Sequence, residues 1–266
     1  MQSKEIERSL PDSTALWSFF ERLDSAPASA LLLDYDGTLA PFHIDRNRAY
    51  PYPEAVPLIE KIVERNKTRV VVISGRPVAE LKSLLTPLNL EMWGAHGLER
   101  VLPDGSYEQV RVPWHTLELL SQAKEWVIRS RLTSLAEIKP GGIAIHWRGL
   151  PEAEAHEVEE RLLEGWSGLA NDSELKLLRF ESGIELRVAH PDKGDAVNSI
   201  LKESTPDTSI AYLGDDLTDE DSFRALTGRG LTVLVRPERR QTAAQVWLRP
   251  PCELIEFLQQ WLNRIS

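Results

Sequence analysis

The chain has 266 residues, of which 42% are hydrophobic, and a formal net charge of -10. A chain of this length can bury one large core or two smaller ones, and we expect two domains. The negative charge gives no general attraction to nucleic acid or to acidic membrane surfaces, so locally placed cations must capture any anionic substrate. We therefore expect a small-molecule partner, with no nucleic acid and no membrane.

A single cysteine, Cys252, excludes an internal disulfide and suits a reducing compartment. Its apolar neighbours predict that it packs in a core and takes no part in chemistry. Residues 1–11 carry mixed charges, and no apolar run in the chain is long enough to span a bilayer. These features predict a soluble cytoplasmic protein, which we expect to be a monomer.

The first half of the chain alternates between predicted helices and strands. These lie at 16–23 (helix), 31–33 (strand), 54–66 (helix), 69–73 (strand), 77–85 (helix) and 90–93 (strand), with a hairpin turn at 103–105. The leucine run at 31–33 is typical of a strand buried on both faces of a parallel sheet. Such alternation is typical of a doubly wound α/β fold.

The pattern changes near Pro113 and returns after Pro191. Between these points the chain predicts a helix through residue 127, a strand pair around 141–142, a helix at 151–163 and strands at 175–180 and 184–188. After them come a helix from 192, a strand at 210–213, a helix near 219–226 and a strand at 231–235. We predict a Rossmann-like parallel-sheet core formed by 1–112 and 189–266, with an inserted small α+β domain at 113–188.

Two carboxylates, Asp34 and Asp36, directly follow the leucine strand. Open α/β sheets bind their ligands at this end of a strand, and two acids one residue apart repel each other unless a cation lies between them. The pair therefore indicates a divalent metal. Gly37 allows a tight turn, and Thr38 supplies a hydroxyl. An acidic turn without any metal is the alternative.

Other loops carry residues that a phosphoryl-transfer site requires. Asp34 can attack phosphorus, and Asp36 is close enough to give a proton to the leaving alcohol. Ser74 and Lys193 can bind phosphoryl oxygens, and Asp215 can complete a magnesium site. Each signal has an ordinary structural reading as well. Ser74 could be an N-cap, Lys193 a solvated lysine, and the acids after Asp215 a helix amino terminus.

Strands of the predicted insertion carry alternating polar and apolar residues. Glu137 and Lys139 face the same way in an extended strand, as do His146 and Arg148, and Glu185 repeats the pattern. A solvated sheet face is the ordinary interpretation. If the insertion closes over the core, this face would instead contact sugar hydroxyls.

Four loops together resemble the ordered motifs of the haloacid dehalogenase superfamily of phosphatases. The motifs are Asp34-Tyr35-Asp36-Gly37-Thr38, Ser74-Gly75-Arg76, Lys193-Gly194 and Gly214-Asp215-Asp216-Leu217-Thr218-Asp219-Glu220. An insertion between the second and third motifs resembles a C2-type cap. The segments at 94–99, 137–139 and 146–148 extend the similarity to trehalose 6-phosphate phosphatases in particular.

The resemblance implies a Mg²⁺-dependent enzyme that hydrolyses trehalose 6-phosphate through an aspartyl phosphate on Asp34. The implied catalytic residues are Asp34, Asp36, Ser74 and Lys193, and the implied metal ligands are Asp34, Asp36, Asp215 and Asp216. The implied substrate-binding residues are Thr38, Arg76, His96, Glu137, Lys139, His146, Arg148 and Glu185.

One departure from the family pattern and two alternative functions remain open at this point. Trp147 stands where members of the family usually carry tyrosine, which can alter the wall of the pocket. The substrate could be another glycosyl phosphate, such as glucosylglycerol phosphate or a glycosyl phosphoglycerate. The chain could also be a catalytically silent sugar-phosphate sensor. Functional coupling to a trehalose-phosphate synthase is a further possibility.

Overall fold

The computed structural model describes residues 10–43, 45–180 and 183–265. These residues form one eight-stranded sheet and one four-stranded sheet, with helices packed on both. The strands are β1 (Ser29–Leu33), β2 (Thr68–Ile73), β3 (Glu91–Gly94), β4 (Glu99–Val101), β5 (Tyr107–Gln109), β6 (Ala136–Lys139), β7 (Gly142–His146), β8 (Leu175–Phe180), β9 (Gly183–Val188), β10 (Ser209–Gly214), β11 (Leu231–Val235) and β12 (Val246–Leu248). The helices are α1 (Thr14–Ser25), α2 (Ala55–Glu64), α3 (Val78–Leu85), α4 (Trp114–Arg129), α5 (Glu152–Trp166), α6 (Lys193–Glu203), α7 (Glu220–Leu226) and α8 (Cys252–Arg264).

The larger sheet is the predicted α/β core. Its strand order is β12-β11-β10-β1-β2-β3-β4-β5, and the strands from β12 to β3 run parallel. Strand β1 is buried throughout, because its leucines point to both faces of the sheet and helices cover both faces. Leu31 and Leu33 pack in the core cluster that includes α1, α2 and α8, whereas Leu32 packs with α6 and α7 on the opposite face.

The strand order reverses at β1, and this reversal places the site. From β1 the sheet grows through β2 and β3 to one side and through β10, β11 and β12 to the other. Loops that leave β1 and β10 therefore diverge, which opens a crevice at the carboxyl ends of these two strands. Asp34 directly follows β1, and Asp215 directly follows β10.

The far edge of the larger sheet is antiparallel. Strands β4 and β5 pair as the hairpin that the turn at 103–105 predicts. Strand β4 also pairs antiparallel to β3, so the doubly wound sheet ends in a short meander on this side.

The smaller sheet, ordered β6-β7-β9-β8, is antiparallel throughout. Its strands and the helices α4 and α5 all lie between residues 114 and 188, within the predicted insertion. Helices α4 and α5 cover one face, where Val127, Leu162 and Ile145 share a buried cluster. The other face carries the polar residues of β6, β7 and β9.

The carboxyl-terminal region adds two elements beyond those predicted and corrects the placement of Cys252. Beyond Val235 the chain adds β12 at the sheet edge and α8, whose Phe257 and Trp261 pack against α1 through Phe20 and Phe19. Cys252 begins α8 and is exposed, so the prediction that it packs in a core is wrong. Leu254 and Leu258 lie on the buried face of α8, whereas Cys252 is exposed at the first position of the helix. Among the described residues, no helix combines the length and apolar character needed to cross a bilayer.

Candidate active site

A cavity of about 470 Å³ lies between the carboxyl edge of the larger sheet and the polar face of the smaller one. From the larger sheet and its loops it is lined by Asp34, Asp36, Phe42, Arg46, Ser74, Gly75, Arg76, His96, Lys193, Asp215, Asp216 and Thr218. From the other side it is lined by Ser134, Leu135, Ala136, Glu137, Lys139, His146, Arg148, Phe180 and Glu185. The fold thus brings most of the predicted site residues to one cavity.

The floor of the cavity is built around Lys193. Its Nζ donates to Asp34 Oδ1 and to Asp219 Oδ1, both at 2.7 Å, and all three side chains are buried. Lys193 reaches this position because Asp192 caps α6, which starts the helix beneath the end of β1. Although burial lowers the pKa of Lys193, the carboxylates of Asp219 and Asp34 raise it well above its usual range. Lys193 is therefore a fixed positive charge at the site.

Asp219 holds the site together, a role that the sequence did not single out. Its Oδ1 also accepts from the Tyr212 hydroxyl at 2.6 Å, and its Oδ2 accepts the backbone N–H groups of Asp215 and Asp216 at 3.0 Å. Four donors therefore occupy this carboxylate, which suits a positioning residue. Asp219 sits in an acidic run that also fits a helix start. Asp215 and Glu220 of that run are buried as well, so the four donors to Asp219 distinguish it.

Asp215 lies close to Asp34, and its Oδ2 makes an ion pair with Arg236 at 4.0 Å. This oxygen is buried and accepts no hydrogen bond from the residues that the structure describes. Oxygens of Asp34, Asp215 and Asp219 lie within 4.8 Å of one another. Gly37 permits this approach, because a Cβ there would lie 2.1 Å from Asp215 Oδ2 and the φ of Gly37 is +82°.

The electrostatics of this cluster favour a bound cation. Burial raises the pKa of Asp34 to about 7 even though the Lys193 ammonium opposes the rise. Burial and the nearby Asp34 carboxylate also raise the pKa of Asp215 well above its usual range. Two buried acids of like charge, with one oxygen that accepts no hydrogen bond from the described residues, fit a divalent metal, and Mg²⁺ prefers such oxygen ligands.

Asp216 and Thr38 differ in place from the other predicted residues. Asp216 lines the cavity but lies outside the group of acids that approach within 4.8 Å, where Asp219 stands instead. Thr38 lies behind Asp34 and donates to Asp34 Oδ2 at 3.4 Å, and it is not among the described residues that line the cavity. Its contact with Asp34 supports a positioning role.

Asp36 and Arg76 form a bidentate ion pair on one side of the cavity. Arg76 donates from Nε and Nη2 to the two carboxylate oxygens of Asp36, both at 2.6 Å. Ser74 Oγ accepts the backbone N–H of Arg76 at 3.2 Å, which fixes the turn between β2 and α3. Such paired, charge-assisted bonds hold a carboxylate in a defined orientation.

His96 joins the two sides of the cavity. Its Nε2 lies 3.0 Å from Glu185 Oε2, and Lys139 Nζ lies 3.1 Å from the other oxygen of Glu185. The ring packs directly over Gly75, where a Cβ would lie 2.6 Å from it. Burial lowers the pKa of His96 to about 4. Although burial acts to raise it, Lys139 and His96 hold the pKa of Glu185 well below its usual range.

Glu137 and Glu185 align across the smaller sheet. Both pair in register with Ala144 of β7, whose small side chain leaves space between the two carboxylates. His146 Nε2 lies 2.8 Å from Glu137 Oε2. Burial lowers the pKa of His146 to about 4. The alternation of the sequence predicted this shared face.

Arg148 differs from its predicted position on a strand, because β7 ends at His146. The guanidinium of Arg148 instead lies 5.4 Å from the ring centroid of Phe42 and donates to the His43 carbonyl. It still lines the cavity, but it does so by bridging to a loop of the larger sheet.

Arg240 is a further residue that the sequence did not reveal. Its guanidinium donates to the backbone carbonyls of Asp215 and Asp216, at 3.2 and 2.7 Å, and to the Glu220 carboxylate. Arg240 therefore stabilises the backbone of the acidic loop. Arg240 lies in an irregular segment before β12, where no periodic pattern marks it.

Comparison with known proteins places the chain in a family. The trehalose-phosphatase family profile matches residues 32–247. An uncharacterized glycosyl hydrolase of Mycobacterium tuberculosis is 30% identical over 270 residues, covering 94% of this chain and 19% of that protein. A trehalose-phosphate phosphatase of Mycobacterium ulcerans is 28% identical over 258 residues, covering 91% of this chain and 63% of that protein. The chain thus spans less than two thirds of the length of both relatives.

The solved structures agree with this result at the level of the fold. The C-terminal domain of the C. albicans trehalose-6-phosphate phosphatase superposes with a TM-score of 0.80 at 20% identity, covering 96% of this chain and 98% of that one. The predicted α/β core with a small α+β insertion is therefore confirmed, and so is the resemblance. The chain belongs to the trehalose-phosphatase family.

Proposed function

We propose that this chain hydrolyses trehalose 6-phosphate to trehalose and phosphate. One observation carries the proposal. A buried cluster of Asp34, Asp215 and Lys193 faces, across a single cavity, an ordered row of Glu137, Lys139 and Glu185. The first set suits a phosphoryl group, and the second suits the hydroxyls of a sugar. Membership of the trehalose-phosphatase family supports the same substrate.

In the proposed reaction, a carboxylate oxygen of Asp34 attacks phosphorus, so an O–P bond forms while the bond from phosphorus to the sugar oxygen breaks. Asp36 gives the departing sugar oxygen its proton, and trehalose leaves. Asp36 then removes a proton from water, which attacks the aspartyl phosphate and releases phosphate from Asp34. Asp36 enters the cycle protonated and is protonated again at its end, while Asp34 begins and ends as a carboxylate.

Positive charge and hydrogen bonds stabilise the transferring phosphoryl group. Lys193 is fixed at 2.7 Å from Asp34, so it meets the phosphoryl oxygens as negative charge builds on them. Ser74 adds a hydroxyl from the adjacent loop. Asp34, Asp215 and the backbone carbonyl of Asp36 are the proposed Mg²⁺ ligands, with Asp216 nearby. When bound, Mg²⁺ would neutralise the clustered acids and withdraw charge from the phosphoryl oxygens.

Recognition is assigned to the cap, which we define as residues 113–188, and chemistry to the core formed by 1–112 and 189–266. Glu137, Lys139 and Glu185 are the proposed contacts to the disaccharide, with His146 and Arg148 at the edge of the same face. Their alternating charges offer both donors and acceptors, which matches hydroxyl groups that need both. Arg76 and His96 complete the wall on the core side.

Phosphate release across a panel of sugar phosphates tests the proposal. The panel holds trehalose 6-phosphate, glucose 6-phosphate, glucosylglycerol phosphate and a glycosyl phosphoglycerate, with p-nitrophenyl phosphate as a substrate that lacks a sugar. We expect the highest kcat/KM for trehalose 6-phosphate. A higher value for another glycosyl phosphate would replace the proposed substrate, and tight binding without turnover would indicate a sensor.

Three expectations about the wider context stay predictions. They are a cytoplasmic location, a monomeric state and functional coupling to a trehalose-phosphate synthase. Sedimentation and co-purification with a synthase would test the last two.

A further inference from the structure

Arg46 and Glu80 connect the two sides of the cavity, although no motif contains either residue. Arg46 lies in a short 3-10 turn (Arg46–Arg48) after the first motif, and Glu80 lies in α3. Arg46 donates from Nη2 to Glu80 Oε2 at 2.8 Å. The other terminal nitrogen of Arg46 contacts the carboxylate of Glu137 on the cap. One guanidinium therefore bridges a core carboxylate and a cap carboxylate.

Glu80 continues this connection toward Asp36. Its Oε2 also lies 3.4 Å from Arg76 Nη1, and Arg76 holds both oxygens of Asp36 at 2.6 Å. The order is Asp36, Arg76, Glu80, Arg46 and Glu137, and we call these five residues the ion-pair chain. Negative and positive groups alternate along it, so each guanidinium lies between two carboxylates.

The exposure of its side chains and their place around the cavity bear on what the ion-pair chain can do. The Arg76 side chain is only 5% exposed and that of Glu137 is 15% exposed, so the pairs that include them are screened less than surface pairs. The side chains of Arg46 and Glu80 are 26% and 34% exposed. Asp36, Arg76, Arg46 and Glu137 line the cavity, whereas Glu80 is not among its described lining residues. Glu80 is thus placed to act on the substrate only through its neighbours.

We infer that Arg46 and Glu80 are positioning residues that couple sugar binding at the cap to the orientation of Asp36. The inference rests on the proposed function and goes beyond it. A sugar hydroxyl that bonds Glu137 competes for the carboxylate that contacts Arg46. The Arg46 guanidinium then interacts more strongly with Glu80. As a result, the interaction between Glu80 and Arg76 changes. Because Arg76 orients Asp36, binding of a sugar at the cap changes the orientation of Asp36, the proposed general acid.

Glu80→Gln is the cleanest variant for the test, because it keeps the shape of the side chain and leaves the cavity lining intact. Lys82→Gln is the matched control, since Lys82 is an exposed residue two positions along the same helix. We expect Glu80→Gln to lower the pre-steady-state rate of the first step on trehalose 6-phosphate about five- to tenfold, with KM and the first-step rate on p-nitrophenyl phosphate changed by no more than about twofold. Lys82→Gln should match the wild-type chain on both substrates.

A double-mutant cycle separates coupling from a local effect. If the ion-pair chain transmits sugar binding, Glu80→Gln adds little further loss once Glu137→Gln has removed the charge at the cap end. Fully additive losses would overturn the inference. So would an unchanged first-step rate in Glu80→Gln, or an equal loss of that rate on both substrates, which would show that Glu80 only supports the fold.

Failure of the proposed function can be told apart from failure of this inference. If the wild-type chain does not hydrolyse trehalose 6-phosphate, the proposed substrate is wrong, and hydrogen exchange then decides the coupling. Faster exchange in strand β6 of Glu80→Gln than of Lys82→Gln would support the connection from Glu80 through Arg46 to the cap. Equal exchange in the two variants would overturn it.

Discussion

The two sides of the cavity hold their charges in opposite ways. On the core side, Asp34 and Asp215 are buried near each other, Lys193 is shared with Asp219, and Asp215 Oδ2 accepts no hydrogen bond from the described residues. On the cap side each carboxylate has a cation or imidazole beside it, as Glu185 has Lys139 and His96.

This difference indicates that the core side and the cap side have different roles. The core side carries excess negative charge, so it gains from a metal ion and is prepared for chemistry at phosphorus. The cap side is already balanced, so it can bind neutral hydroxyls without a large change in charge. We expect changes on the core side to affect every substrate and changes on the cap side to affect only those that carry the sugar.

Replacing the nucleophile should have the largest effect. We expect Asp34→Asn to lower kcat by about a millionfold for every phosphate ester, since it removes the attacking oxygen while keeping the shape of the side chain. Circular dichroism and the melting temperature should stay close to those of the wild-type chain. Substantial turnover by this variant, on either kind of substrate, would contradict the assignment of Asp34.

Removal of the metal ion should also abolish turnover of all substrates, because it acts on the core side. After exhaustive chelation, verified by metal analysis, we expect turnover of both trehalose 6-phosphate and p-nitrophenyl phosphate to be lost and then restored by Mg²⁺. Ca²⁺ should restore less activity, because its larger and more flexible shell allows Asp34 to bind through both oxygens. Full activity in verified metal-free enzyme would reject the proposed cofactor.

Asp36→Asn should have a smaller effect that depends on the leaving group. We expect a loss of about a hundredfold or more on trehalose 6-phosphate, whose sugar oxygen needs a proton as it departs. The loss on p-nitrophenyl phosphate should be smaller, since p-nitrophenolate leaves without one. Pre-steady-state kinetics would measure the first step alone. The same loss on both substrates would mean that Asp36 does not act as the acid.

Acid should lower the free energy of unfolding through His96, which joins core and cap, and this effect should be smaller than those above. His96 has a pKa of about 4 in the folded chain and about 6.5 when unfolded, so only the unfolded state gains a proton between these values. Stability is therefore lost as the pH falls through this window, by about 1 kcal/mol between pH 6.5 and 5.5 from this residue. Urea unfolding should show a shallower pH dependence in His96→Asn, which also tolerates the positive φ at this position. Identical slopes would refute the role of His96.

The core side could be predicted from the sequence because its signals are local. Asp34 follows a leucine run that forms a buried strand, and Asp215 and Lys193 likewise mark the ends and starts of elements. Once the sheet is parallel, these ends must meet at one edge. The polar alternation of β6 and β9 predicted the cap face for the same reason.

The connections between residues distant in sequence could not be predicted. Arg46 and Glu137 are 91 positions apart, and their contact depends on how the cap sits over the core. Arg240 lies in an irregular segment whose path is set by backbone carbonyls and by Glu220. Asp219 differs from its neighbouring acids in the four donors that its carboxylate accepts from, which composition does not reveal.

The division between chemistry and recognition is tested most directly by Glu137→Ala, measured on two substrates. Glu157→Ala, an exposed acid on α5 of the cap, is the matched control. We predict that Glu137→Ala lowers kcat/KM for trehalose 6-phosphate by about a hundredfold and leaves p-nitrophenyl phosphate within about twofold of the wild-type value. Glu157→Ala should change neither value. An equal loss on both substrates in Glu137→Ala would contradict the division between core and cap.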